Sequence, residues 1–179
     1  MLLASFMTNS SWDPINSGCA TSGLLLIMYT WQEDVMPFAQ EKKLIMSMIS
    51  KSFLHMTLED KQALERSIDC GQGLYILGFD HDGQKHHVVA AVLYNCTEDG
   101  SYINWLAVSN AKFDKATYGK LANDIHFHGC GIASFLLRMV QFQAAAKKYS
   151  INLYLQANPS TKAFNFYPRI DGGPSPPVI

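Results

Sequence analysis

The stretch His128-Gly129-Cys130-Gly131-Ile132-Ala133 runs directly into Ser134-Phe135-Leu136-Leu137-Arg138-Met139-Val140, and its reading decides the fold. Ile132, Phe135, Leu136, Met139 and Val140 recur at i, i+3, i+4, i+7 and i+8, which predicts an amphipathic helix reaching about Tyr149. The two glycines at its mouth leave backbone N–H groups that no helical carbonyl can reach. Such a mouth attracts an anion, through those donors and through the positive end of the helix dipole.

Downstream, Ile151, Leu153 and Leu155 alternate with polar residues and predict a strand. Upstream, Tyr102 to Val108 predicts another, with Ile103, Trp105 and Ala107 expected on one face and Asn104, Leu106 and Val108 on the other. Strand, helix and strand in this order imply a parallel pair joined by a right-handed crossover. Ser109 to Phe127 is polar and too long for an ordinary connection, so a surface excursion is expected. Leu74 to Phe79 and His87 to Tyr94 flank the turn chemistry of Asp80-His81-Asp82-Gly83 and predict an antiparallel hairpin. Glu98-Asp99-Gly100 makes a further turn. Glu33 to Ser50 reads as a helix, with Pro37 in its first turn and Val35, Phe38, Leu44, Ile45, Met48 and Ile49 along one side. Thr57 followed three residues later by Asp60 predicts a capped helix start, with Leu58, Ala63, Leu64 and Ile68 behind it. Gly23 to Thr30 is a compact apolar run that fits a buried strand. Asn158-Pro159-Ser160 opens a short helix through Ala163, Phe164 and Tyr167, stopped by Pro168 and Gly172-Gly173-Pro174. The order is β, α, α, β, β, β, α, β, α. This is an α/β chain with one mixed central sheet, expected as a single domain over 23–170, with a loose arm over 1–22 and a Gly/Pro-rich tail over 171–179.

With 179 residues and 48% hydrophobic content the chain can bury one good core. Fourteen basic against fifteen acidic residues leave a net charge of -1, and no Lys/Arg block marks a nucleic-acid surface. Leu24 to Met28 is too short an apolar run to span a bilayer, and the first dozen residues lack the pattern of a signal peptide. The expectation is an intracellular, cytoplasmic or nuclear protein with no membrane or nucleic-acid partner. Cys19, Cys70, Cys96 and Cys130 show neither metal-type nor redox-type spacing and are expected as free thiols. His126, His128 and Cys130 lie close together, but no second Cys/His pair answers them, so no metal is expected.

Three pieces in this order resemble the GCN5-related N-acetyltransferase (GNAT) superfamily. Trp105-Leu106-Ala107-Val108 resembles the ending of that family's central strand. His128 to Ala133 resembles its [Arg/Gln]-x-x-Gly-x-[Gly/Ala] loop. Asn158, Ala163, Phe166 and Tyr167 resemble its last helix. The resemblance covers about residues 74–170, and the N-terminal third follows in element order.

The resemblance implies a GNAT-like sheet with helices on both faces and acetyl-CoA (acyl-CoA) as co-substrate. Its pyrophosphate would rest on the amides of Gly129, Cys130, Gly131, Ile132 and Ala133, with His128 opening the loop. Its pantetheine arm would lie along Leu106, Ala107 and Val108, near Asn158 and Phe166. Tyr167 would be the general acid that protonates the departing thiolate. The acceptor would be an amine: a protein lysine, a protein N-terminus or a small amine. An alkylamine with a pKa of about 10.4 must lose a proton first, at roughly 4–5 kcal/mol near neutral pH. Some family members use a central-strand Glu for this, and Tyr102 stands in its place, with Glu98 and Asp99 on the neighbouring turn. His128 replaces the family's Arg or Gln. The 109–127 connection is longer than usual by roughly 15 residues. The family's two final strands are missing, which leaves room for a homodimer or a strand-donating partner. The alternative reading is a catalytically weak or inactive CoA-binding or protein-interaction module on a truncated GNAT fold.

Overall fold

The structure, a computed structural model, describes residues 25–31, 39–53, 56–79, 86–110 and 127–155. Their elements are β1 (Leu25–Trp31), α1 (Ala39–Ser52), α2 (Leu58–Cys70), β2 (Gln72–Phe79), β3 (His86–Thr97), β4 (Gly100–Val108), α3 (Ile132–Ala146) and β5 (Leu153–Leu155). The strands form one sheet in the order β1-β2-β3-β4-β5. The first four are antiparallel, and β5 runs parallel to β4 after the α3 crossover. The hairpin and the parallel pair are therefore as the sequence predicts. The expected final helix, the 109–127 excursion beyond Asn110, and the part of the first helix expected before Ala39 lie outside the described residues.

Each sheet face buries its own core. On one side Ile45, Met48 and Ile49 of α1 and Leu64 and Ile68 of α2 pack on Tyr75, Leu77, Val88, Ala91, Leu93 and Ala107. Ala91 and Ala107 are register partners, and their small side chains let α1 settle across β3 and β4. Lys42 ties α1 to α2, with Nζ 2.6 Å from Asp69 and 3.3 Å from Glu65. The start of α2 carries the expected reciprocal cap: the Asp60 N–H donates to Thr57 Oγ1 at 3.1 Å, and the Thr57 N–H donates to Asp60 Oδ2 at 2.8 Å.

On the other side Ile132, Leu136, Leu137 and Val140 of α3 pack on Leu74, Ile76, Val92, Tyr94 and Ile103. The spacing that predicts α3 from sequence is thus the spacing that buries it, although the helix ends at Ala146, a little short of Tyr149. The buried Tyr94 hydroxyl donates to the Gln143 side-chain oxygen and fixes α3 to the sheet.

One expectation is corrected in β4. Leu93 pairs with Trp105 and Tyr94 with Ile103, so Asn104 is an extra residue without a register partner. This bulge reverses the alternation. Ile103 faces α3, whereas Trp105 and Ala107 face α1 and α2. Trp105 meets Phe53 edge to face at 5.4 Å, and Tyr102 stacks on Tyr154 of β5 at 4.9 Å.

Candidate functional site

The glycine loop has the shape its sequence demands. Gly129 has φ +82 and Gly131, the N-cap of α3, has φ +77, a backbone region that glycine enters without cost and other residues do not. Among the described residues, a Cβ built at either position meets nothing within 4 Å. Glycine is needed here for the turn of the chain. The first bond of α3 runs from the Phe135 N–H to the Gly131 carbonyl at 2.9 Å. The N–H groups of Ile132, Ala133 and Ser134 therefore precede the first intrahelical donor. Left-handed residues within such a loop gather backbone N–H groups into an anion-binding nest. The first turn of α3 carries no acidic residue, and its first charged side chain is Arg138.

The end of β4 stands beside this loop. The Ser109 N–H donates to the Val89 carbonyl at 2.7 Å, which fixes the phase of the ladder. Ala107, two residues back, directs its backbone groups at Ala91 of β3. Leu106 and Val108 direct theirs the other way, toward the side where β5 lies. The described pairing on that side covers Ser101 to Ile103 against Leu153 to Leu155, before Leu106 is reached. His128 confirms the phase: its Nε2 lies 3.0 Å from the Val108 carbonyl oxygen. One imidazole thus joins the glycine loop to the outward edge of β4.

No protein-family model matches the sequence, and no curated protein matches it. Solved structures do. The ribosomal-protein-alanine N-acetyltransferase of Brucella melitensis biovar Abortus 2308 superposes with a TM-score of 0.56 over 87% of this chain and 96% of its own, at 12% identity. The aminoglycoside N-acetyltransferase AAC(6')-Iy, crystallised with CoA, superposes with a TM-score of 0.58 over 89% of this chain and 95% of its own, at 10% identity. An aminoglycoside acetyltransferase from an uncultured soil metagenomic sample, in complex with sisomicin, gives 0.55 over 86% and 92%, at 12% identity. This is the GNAT fold.

Within the GNAT fold, the described residues bring together His128, Gly129, Cys130, Gly131, Ile132 and Ala133 with the outward backbone of Leu106 and Val108. Ala107 is different, with its side chain in the α1/α2 core and its backbone turned to β3. Ile132 likewise buries its side chain and offers only its N–H. Cys130 is disulfide-bonded, which corrects the expectation of four free thiols; Cys70 and Cys96 are free. A disulfide sulfur offers no thiolate, so Cys130 is no acyl acceptor in this state. Tyr167, Asn158 and Phe166 lie outside the described residues. Glu98 and Asp99 sit in an exposed turn, where the Asp99 carbonyl receives the Tyr154 hydroxyl at 3.4 Å. Sequence reading missed the bulge, whose signal was Asn104, a poor strand former set between Ile103 and Trp105.

A diphosphate fits this loop on three counts. The backbone turns through two positive-φ glycines, no described atom crowds their α-carbons, and no carboxylate stands in the first turn. The outward edge of β4 offers Leu106 amide and carbonyl groups to which an extended amide chain can pair as an added strand would.

Proposed function

We propose that the chain is an N-acyltransferase that moves an acetyl group from acetyl-CoA to a primary amine by direct attack. The observation that supports this best is the left-handed Gly129/Gly131 loop at the start of α3, joined through His128 to the outward edge of β4. The thioester supplies the activated acyl group. The loop amides would hold its diphosphate and so fix the far end of the molecule, while the Leu106 backbone aligns the pantetheine arm. Tyr167 is the proposed proton donor. As the amine nitrogen bonds to the acyl carbon and the carbon–sulfur bond breaks, the phenol protonates the sulfur, and the proton shed by the nitrogen passes through solvent to restore the phenol. The solved structures named for aminoglycoside and ribosomal-protein-alanine acetylation support an amine acceptor in general.

A second reading has its own support. The ring of Tyr102 at the family's base position is stacked on Tyr154, where a proton acceptor would be wanted. A CoA-binding module without turnover fits that arrangement. One experiment separates the two: incubation with acetyl-CoA and a panel of amines, following free thiol release. Amine-dependent release that falls with Tyr167→Phe establishes the transferase. Tight CoA binding without release, indifferent to Tyr167→Phe, establishes the module.

A further inference from the structure

We propose that His128 binds the diphosphate of CoA through Nδ1–H, as the imidazolium alone, so that CoA affinity is coupled to the protonation of this ring. The inference rests on the reading of the loop given above. It starts from the bond to Val108. A backbone carbonyl only accepts, so the 3.0 Å contact requires a hydrogen on His128 Nε2. A neutral imidazole has one N–H, and here it is committed to β4. Nδ1 then carries a lone pair, which repels phosphate oxygens. Protonation reverses this: Nδ1 becomes a donor and the ring gains a positive charge, while the Val108 bond is kept. An Arg or Gln at this place donates at any ordinary pH; a His tethered in this way does not.

Among the described residues, the loop and β4 bring no carboxylate to that ring. Among the described residues, β4 from Gly100 to Val108 carries no Asp, Glu, Lys or Arg. Nor does the loop from Phe127 to Gly131, where Cys130 is in a disulfide. The first turn of α3 holds no charge, and Arg138, further along the helix, is positive at every working pH. β3 contributes His87 near its start and then Tyr94, whose buried phenol stays protonated. β5 contributes Tyr154.

The test follows ring nitrogens and CoA affinity together. Protein labelled with 15N-histidine is titrated by NMR with and without saturating CoA, and the His128 signals are assigned by their loss in His128→Arg. In the free protein at pH 8, Nε2 should bear the hydrogen and Nδ1 none. Bound CoA should raise the His128 midpoint by about one pH unit, a tenfold coupling. Because the phosphates of CoA titrate in the same window, its dissociation constant is compared with that of His128→Arg. Between pH 5.5 and 8 the wild type should lose about tenfold more affinity than the variant. A hydrogen on Nδ1 at pH 8, a midpoint that bound CoA leaves in place, or equal slopes in both proteins overturns the proposal. CoA binding by neither protein at any pH overturns the reading of the loop itself. If His128→Arg does not fold, the wild-type midpoint decides alone, with the His128 signal assigned through His128→Gln.

Discussion

The indole of Trp31 fills the space beside the α-carbon of Gly73, its register partner across the β1–β2 seam. A methyl at Gly73 would overlap that ring. The ring has little room to yield: it is buried, its Nε1–H donates to the Ile68 carbonyl at 3.3 Å, and Tyr75 packs against it at 5.5 Å. Gly73→Ala should therefore destabilise the protein by about 1–3 kcal/mol, the usual cost of overfilling a packed core. Urea unfolding measures it. The same change in a Trp31→Leu background should cost clearly less, since the clash is then relieved, and additive effects would refute the contact.

Gly73 also marks what could be read from sequence. Gly71 and Gly73 look like punctuation before a strand at Leu74, yet β2 begins at Gln72 and Gly73 pairs inside it. Glycine breaks strands on average, and only the distant Trp31 explains why it is wanted here. The same division runs through the fold. The helix spacing of 132–140, the Thr57/Asp60 cap and the β2–β3 hairpin are local signals, and each is realised. The Gly129/Gly131 turn was equally legible, because only glycine suits it. The bulge at Asn104 and the tether from His128 to Val108 depend on partners far off in sequence, and no periodicity announces them.

The Gly131 loop permits a test that separates backbone strain from charge. With φ +77 and no described atom within 4 Å of an added Cβ, Gly131→Ala should fold at a cost of roughly 1–2 kcal/mol. Gly131→Glu bears the same strain and adds a carboxylate where an anion should bind. If the loop holds a diphosphate, calorimetry should show CoA binding weakened by Gly131→Ala and abolished by Gly131→Glu. Equal affinities in the two variants would mean that the anion sits elsewhere.

At the start of α2, the Thr57 N–H and hydroxyl hold the Asp60 carboxyl below its usual value. A depressed carboxyl stabilises the fold above its unfolded pKa, near 3.8, and this contribution is lost as pH falls through the lower folded value. The stability gap between wild type and Asp60→Asn should thus be constant above about pH 5 and close below about pH 4. Thr57→Ala, which removes the cap itself, should cost about 1 kcal/mol at neutral pH. Thermal melts across that range check both.

The bond from Tyr94 to Gln143 carries the opposite pH signature. Burial first, then the neighbouring Cys96, pushes the Tyr94 phenol far above its ordinary 10.0, so it remains a donor throughout the working range. A raised phenol contributes its full stability below the unfolded pKa and loses it as pH rises toward the folded value, because the unfolded chain ionises while the native one does not. Tyr94→Phe should therefore cost about 1–3 kcal/mol at neutral pH, by stranding the Gln143 oxygen. It should also flatten the fall in stability above about pH 10. The flattening should be partial, since Tyr75 is likewise raised, chiefly by burial and then by Glu41. Because the Tyr94 bond meets α3 near its C-terminal end, 12 residues past Gly131, CoA affinity in the folded variant should change less than twofold, about 0.4 kcal/mol. Urea titrations from pH 7 to 11, with calorimetry at pH 7, measure both effects. A steeper alkaline slope in Tyr94→Phe would contradict the buried, protonated donor.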